Sequence, residues 1–107
     1  MTRFHAYRLF EDQGKVHGRV VEMGVDDLAG GEVTLRVAYS SINYKDALAA
    51  TGQGKIIRAY PRVSGIDLAG TVVSSRDARY RESDEVVVHG FGIGVDTDGG
   101  HAQYARV

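Results

Sequence analysis

The 107 residues carry 13 Lys and Arg against 14 Asp and Glu, a formal net charge of −1, with 43% hydrophobic residues, 14 Gly and no Cys. A chain of this length builds one hydrophobic core and has no mass for a second, so one domain over residues 1–107 is expected. The near-neutral charge gives no footprint for nucleic acid or an anionic bilayer, and the lack of cysteine excludes disulfides, thiolate nucleophiles and Cys-ligated metals.

Residues 4–10 are aromatic-rich and residues 18–25 contain Val20 and Val21 between charged neighbours; both segments predict strands, with Asp12-Gln13-Gly14 as the turn. Over residues 32–39, Val33, Leu35, Val37 and Tyr39 alternate with Thr34, Arg36 and Ala38, the pattern of a strand with one buried face. Tyr44 to Ala50 predicts a short helix with Asn43 as N-cap and Gly52 and Gly54 as stop signals. About two helical turns are unstable alone, so packing through Tyr44, Ala47 and Leu48 is expected to hold them.

Residues 54–61 are weakly patterned. Residues 67–75 predict a strand bent or bulged around Gly70, residues 85–89 a strand centred on Val86-Val87-Val88, and residues 102–107 a last strand. Between the last two lie Gly90, Gly92, Gly94, Gly99 and Gly100, a flexible or tightly turned loop. Strands without a βαβ rhythm predict a mainly β fold, a partly open barrel with one short helix. No stretch of about 18 apolar residues is free of charge, and the start has no signal-peptide run, so a soluble cytoplasmic chain with no membrane partner is expected.

Gly90-Phe91-Gly92-Ile93-Gly94 is not a dinucleotide fingerprint, because no helix can follow it through Asp96-Thr97-Asp98-Gly99-Gly100. His5, His17, His89 and His101 lack ligand spacing, although His89 and His101 bracket the glycine loop. Asp96 and Asp98 lack the terminal Glu of a calcium loop, and no serine stands in a nucleophile-elbow context. Asn43-Tyr44-Lys45-Asp46 puts an amide, a phenol, an ammonium and a carboxylate at the mouth of one helix. Tyr44 or Lys45 there could donate to an oxygen gaining negative charge, with Asp46 orienting Lys45 or capping a backbone group; the plain alternative is Tyr44 in the core, Asn43 as cap and Lys45 solvated. Asp67, between Ile66 and Leu68, needs hydrogen-bond partners from Arg or backbone N–H groups.

Taken together, Ser40-Ser41-Ile42-Asn43-Tyr44-Lys45-Asp46-Ala47-Leu48-Ala49, Gly65-Ile66-Asp67-Leu68-Ala69-Gly70-Thr71-Val72, Asp84-Glu85-Val86 and Gly99-Gly100 resemble the N-terminal half of zinc-independent medium-chain dehydrogenases/reductases, in the quinone-oxidoreductase and acryloyl-CoA-reductase branch. The resemblance covers nearly the whole chain and implies a GroES-like β-barrel domain. Zinc-containing relatives hold their catalytic metal with a Cys and a His where this chain has Asn43 and Ile66, so no metal is expected. The resemblance implies NADPH-dependent reduction of an activated carbon–carbon double bond, with Tyr44, Lys45 and Asp46 on the catalytic side and Asn43, Asp67, Gly90 and Gly92 facing the cofactor.

The same resemblance implies a Rossmann cofactor domain and a C-terminal return segment beyond these residues. The isolated chain is therefore expected to bind no cofactor and to be inactive alone, with a complementing cofactor domain or a second copy in a homodimer as partner. A stand-alone interaction module is the alternative. The sequence departs from the family pattern at Ser64, where Pro is usual, and at Glu82-Ser83-Asp84, where Pro-Gly-Asp is usual; Ser83 at a turn position needing positive φ is expected to cost about 1 kcal/mol.

Overall fold

The structure, a computed structural model, describes residues 3–107. Strands β1 (Arg3–Asp12) and β2 (Lys15–Gly24) form an antiparallel hairpin in which Arg3 pairs with Gly24 and Asp12 with Lys15. Gln13 and Gly14 between them both have positive φ (50° and 80°), the signature of a two-residue turn whose twist matches that of the strands. Then come β3 (Val33–Tyr39), helix α1 (Tyr44–Thr51), β4 (Arg62–Val63), β5 (Asp67–Ser75), β6 (Glu85–His89) and β7 (Tyr104–Arg106), with short 3₁₀ turns at Val25–Asp27 and Gln53–Lys55.

The strands form two open sheets, ordered β2-β1-β4 and β6-β5-β3-β7. The stretch around Ala102 joins them. Tyr7 N–H donates to His101 O and Gln103 N–H to His5 O, which lays Ala102 opposite Ala6; two residues later β7 pairs with β3. The expected last strand is thus divided between the sheets, with a bridge at Ala102 and a ladder at Tyr104–Arg106. The mainly β expectation holds, as an open arrangement with one α-helix.

Alternation in β3 is obeyed by Val33 and Leu35, both buried. It fails at Tyr39, which is 77% exposed. Val37 pairs with Gly70 and Tyr39 with Ala69, leaving Ala38 as an extra residue, and such a bulge reverses the facing of the residues after it. Gly70 stands at the bulge because a Cβ there would collide with the Arg36 carbonyl. The core has three parts: Val33, Leu35, Leu68, Val72, Val88, Ile93 and Ala105 under the larger sheet; Phe4, Ala6, Met23, Leu28 and Val63 under the smaller; and Leu9, Ala49 and Ile57 beneath α1.

The helix is held differently from the sequence expectation. Tyr44 is 80% exposed and Ala47 is exposed, while Asp46 and Ala49 are buried and Leu48 is half-buried. Two-residue β4, which pairs with Arg8 and Leu9 of β1, is too short to leave any periodic signal.

Candidate active site

Asn43, with extended backbone (φ −114°), enters α1, and its N–H donates to Asp46 Oδ2 at 2.9 Å. This is the reciprocal half of a capping box and satisfies one of the donors a helix start leaves unpaired. Asp46 Oδ1 accepts the Ile66 N–H at 3.1 Å. One buried carboxylate therefore ties the helix start to the segment leading into β5.

Asp67 opens β5 and lies against the loop before the helix. It accepts the Ser41 hydroxyl (2.7 Å to Oδ2), the Ser41 N–H (3.1 Å to Oδ1) and Asn43 Nδ2 (3.0 Å to Oδ2). The Ser41 hydroxyl, then the Asn43 amide, hold its carboxyl below the ordinary value of 3.8, with His101 acting in the same direction and partial burial opposing. The expected backbone N–H partner is present, and side-chain donors from Ser41 and Asn43 stand where an Arg was the other expectation.

Sequence reasoning does not find the other half of this network. His101 Nε2 lies 2.8 Å from Ser41 O; a carbonyl only accepts, so Nε2 carries a proton, and in the neutral ring Nδ1 then accepts from the Ser64 hydroxyl at 2.7 Å. Ser41, Ser64 and His101 are separated by 23 and 37 residues (41 to 64, 64 to 101), and nothing in their local context marks them as a group. Ser64 is nevertheless one of the two places where the chain departs from the family's usual Pro, and here it supplies the hydroxyl that orients the imidazole. Beside the network lies an open cleft of about 620 Å³ whose lining includes Tyr7, Ser41, Ile42, Asp46, Ser64 and His101.

Tyr44 and Lys45 project outward from the same turn, and neither has a hydrogen-bond or salt-bridge partner among the described residues. Gly90 follows His89, which pairs with Asp67 across the β5–β6 ladder, so this glycine lies at the same end of the sheet. Gly90, Gly92 and Gly94 all have φ between 74° and 78°. The loop is tightly turned: Ile93 N–H bonds to Gly90 O, Asp96 N–H to Gly92 O, and Ile93 is buried in the core. Gly99 lies flat on Gly65, where a Cβ would meet the Gly65 carbonyl. Asp98 is also structural, accepting the Ala29 and Val63 N–H groups at 2.8 Å each.

A fold of two open sheets, one capped helix and a glycine-packed loop, with this polar network at the junction, defines a GroES-like domain. The chain belongs to the alcohol dehydrogenase GroES-like domain family, whose model matches residues 29–107. It is 45% identical over 106 residues to a putative quinone oxidoreductase, YhfP, of Bacillus subtilis, spanning 99% of this chain and 32% of that protein. It is 47% identical over 102 residues to a probable acrylyl-CoA reductase, AcuI, of Escherichia coli, spanning 95% of this chain and again 32% of the relative. The structure of the yhdH oxidoreductase from Salmonella enterica in complex with NADP superposes with a TM-score of 0.93 at 47% identity, over 96% of this chain and 32% of that one.

The chain thus spans about a third of the length of these relatives and is an N-terminal domain of the zinc-independent type. Among the described residues no three His, Cys, Asp or Glu side chains are grouped to hold a metal, and no helix is long and apolar enough to cross a membrane.

Proposed function

We propose that these residues form the substrate-facing half of an NADPH-dependent reductase acting on an activated alkene, a quinone or an enoyl-CoA thioester such as acryloyl-CoA. The observation that carries this reading is the hydrogen-bond network that joins Asn43, Asp46, Asp67 and His101 through Ser41, with Asp46 and His101 lining the adjoining cleft and the unpaired phenol and ammonium of Tyr44 and Lys45 exposed on the same helix start. NADPH, when bound, supplies a hydride to the β-carbon of the alkene. The electron pair displaced toward the carbonyl leaves enolate charge on oxygen, which Tyr44 O–H or Lys45 Nζ stabilises by donation before a proton closes the α-carbon.

Asp46 acts as a positioning residue, holding Asn43 and the helix start in place. Asn43, Asp67 and the backbone at Gly90 and Gly92 face the cofactor. What supports a facing role over a pyrophosphate-binding one is that Gly90 to Gly94 closes into turns and that, among the described residues, no helix follows it to receive a pyrophosphate. In this reading the 107 residues lack a hydride-donor site of their own and need a complementing cofactor domain.

Calorimetric titration with NADPH is expected to show no micromolar binding. ¹⁵N NMR titration with acryloyl-CoA is expected to shift the amides of Tyr44, Lys45 and Asp67. Turnover of NADPH by the purified 107-residue chain without another subunit, or unmoved amides at those three positions, would refute the proposal.

A second reading, a self-associating module, is favoured by one observation. Val87 and Phe91, 74% and 90% exposed, lie beside an apolar hollow of about 250 Å³ that includes Val33, Val86 and Val107. A second copy would cover this face as a homodimer. Light scattering tests it: a concentration-independent monomer removes the reading, and a dimer dissolved by Val87→Asp with Phe91→Asp supports it.

A further inference from the structure

A second cleft, of about 430 Å³, opens beside α1, lined by Lys45, Lys55 and Arg58 together with Gly54, Ile56 and Asp96. Three cations against one carboxylate make it locally positive in a chain whose net charge is −1. None of the three makes a salt bridge or a cation–π contact among the described residues, whereas Arg3, Arg62, Arg76 and Arg79 each pair with a carboxylate. Like charges gathered around one concavity repel one another, and an anion relieves that repulsion.

The frame that presents them is anchored. Gly52 ends α1 in the left-handed conformation (φ 78°), turning the chain so that Gly54 comes against Leu48. Ile57, 4% exposed, packs with Leu9 and Ala49 and pins the backbone of Arg58. Lys55 sits at φ 50°, a region where any side chain is disfavoured and glycine is the easier residue, and its side chain is exposed, so packing does not account for it. The Gly92 turn, closed by Asp96 N–H to Gly92 O, brings Asp96 to the same cleft.

We infer that this cleft is a phosphate subsite, taking the phosphorylated end of a nucleotide-bearing ligand. The charge and cleft geometry carry the subsite; that its ligand is a reactant of the reductase rests on the reductase reading. Two ligands share the chemistry, an acyl thioester of a 3′-phosphorylated carrier and the 2′-phosphorylated cofactor itself.

The test is a set of ¹⁵N NMR titrations of the 107-residue protein with pyrophosphate, adenosine 3′,5′-bisphosphate, adenosine 2′,5′-bisphosphate and phosphate-free acryloyl-pantetheine. The three phosphate probes are expected to shift the amides of Lys45, Lys55, Arg58 and Asp96, more weakly as salt is raised. Lys55→Gln with Arg58→Gln is expected to weaken binding of the better bisphosphate about tenfold. A preference for the 3′,5′ isomer assigns the subsite to the thioester carrier, a preference for the 2′,5′ isomer to the cofactor, and equal binding supports a general phosphate subsite. Absence of shifts at these amides with every phosphate probe at about 10 mM, or binding undiminished in the double variant, overturns the inference. Acryloyl-pantetheine reports separately on the reductase reading: if it fails to move Tyr44 while the phosphates bind, that reading falls and the subsite stands.

Discussion

Replacing Ser83 by glycine is expected to stabilise this protein. Ser83 has φ 76° in the third position of a turn closed by Asp84 N–H to Arg81 O at 3.0 Å. The turn cannot relax to another conformation cheaply, because Ser83 N–H donates to Val72 O and Val72 N–H to Asp84 O, both at 2.8 Å, stitching it to β5. A left-handed L-residue costs about 1–2 kcal/mol relative to the right-handed region, and glycine removes that cost. Glycine adds backbone freedom to the unfolded chain, a loss of about 0.4–1 kcal/mol. The side chain is exposed and makes no hydrogen bond among the described residues, so nothing else is given up.

The net gain is about 0.5–1 kcal/mol, or a rise in Tm of roughly 2–8 °C for a domain of this size. Urea unfolding followed by circular dichroism measures it, with an unchanged m-value showing that the shift in midpoint is a change in stability and not in the surface exposed on unfolding. Ser83→Val serves as the opposite control, since a β-branched side chain is worse still at positive φ and is expected to destabilise. A Ser83→Gly protein no more stable than the parent would refute the claim that positive φ is enforced here.

Asp46→Ala removes the acceptor of the Asn43 and Ile66 N–H groups, and at about 1–3 kcal/mol for each partly buried donor left unmade, a loss of about 2–6 kcal/mol is expected in urea unfolding. A loss well under 1 kcal/mol would mean that water replaces the carboxylate and that the helix start is not held by it. For Asp67, hydrogen bonds from Ser41 and Asn43 depress the folded-state carboxyl below its ordinary 3.8. Its contribution to stability is therefore complete above that ordinary value and lost as pH falls through the depressed one. Asp77, held down to about 2 mainly by the Arg79 guanidinium, adds in the same acid window. Asp67→Asn is accordingly expected to flatten the fall in stability below about pH 4 without abolishing it, and an acid-unfolding profile that keeps its slope would contradict the assigned network.

The β-rich class, the hairpin turn, the buried alternation of Val33 and Leu35 and the capped helix at Asn43 were all legible in the chain, because each depends on neighbours within a few residues, while the positive φ at residue 83 was legible only through the family resemblance. So was the family, carried by contiguous motifs. The facing of Tyr39 was not, since it arises from a bulge that exists only when β3 is laid against β5. Nor was the buried side of α1: the apolar pattern favoured Tyr44 and Ala47, but the buried acceptor Asp46 has to meet the Ile66 N–H, and that requirement turns Tyr44 to solvent.

The same division governs the chemistry. Local sequence determined which groups this protein carries at the helix mouth, because capping and propensity act over a turn or two. Which groups work together was decided by tertiary structure alone: hydrogen bonds between Ser41, Asp67, Ser64 and His101, and the shared cleft of Lys45, Lys55 and Arg58, depend on chain segments meeting in space, and residue type carries no record of which distant partner will supply the other half of a bond.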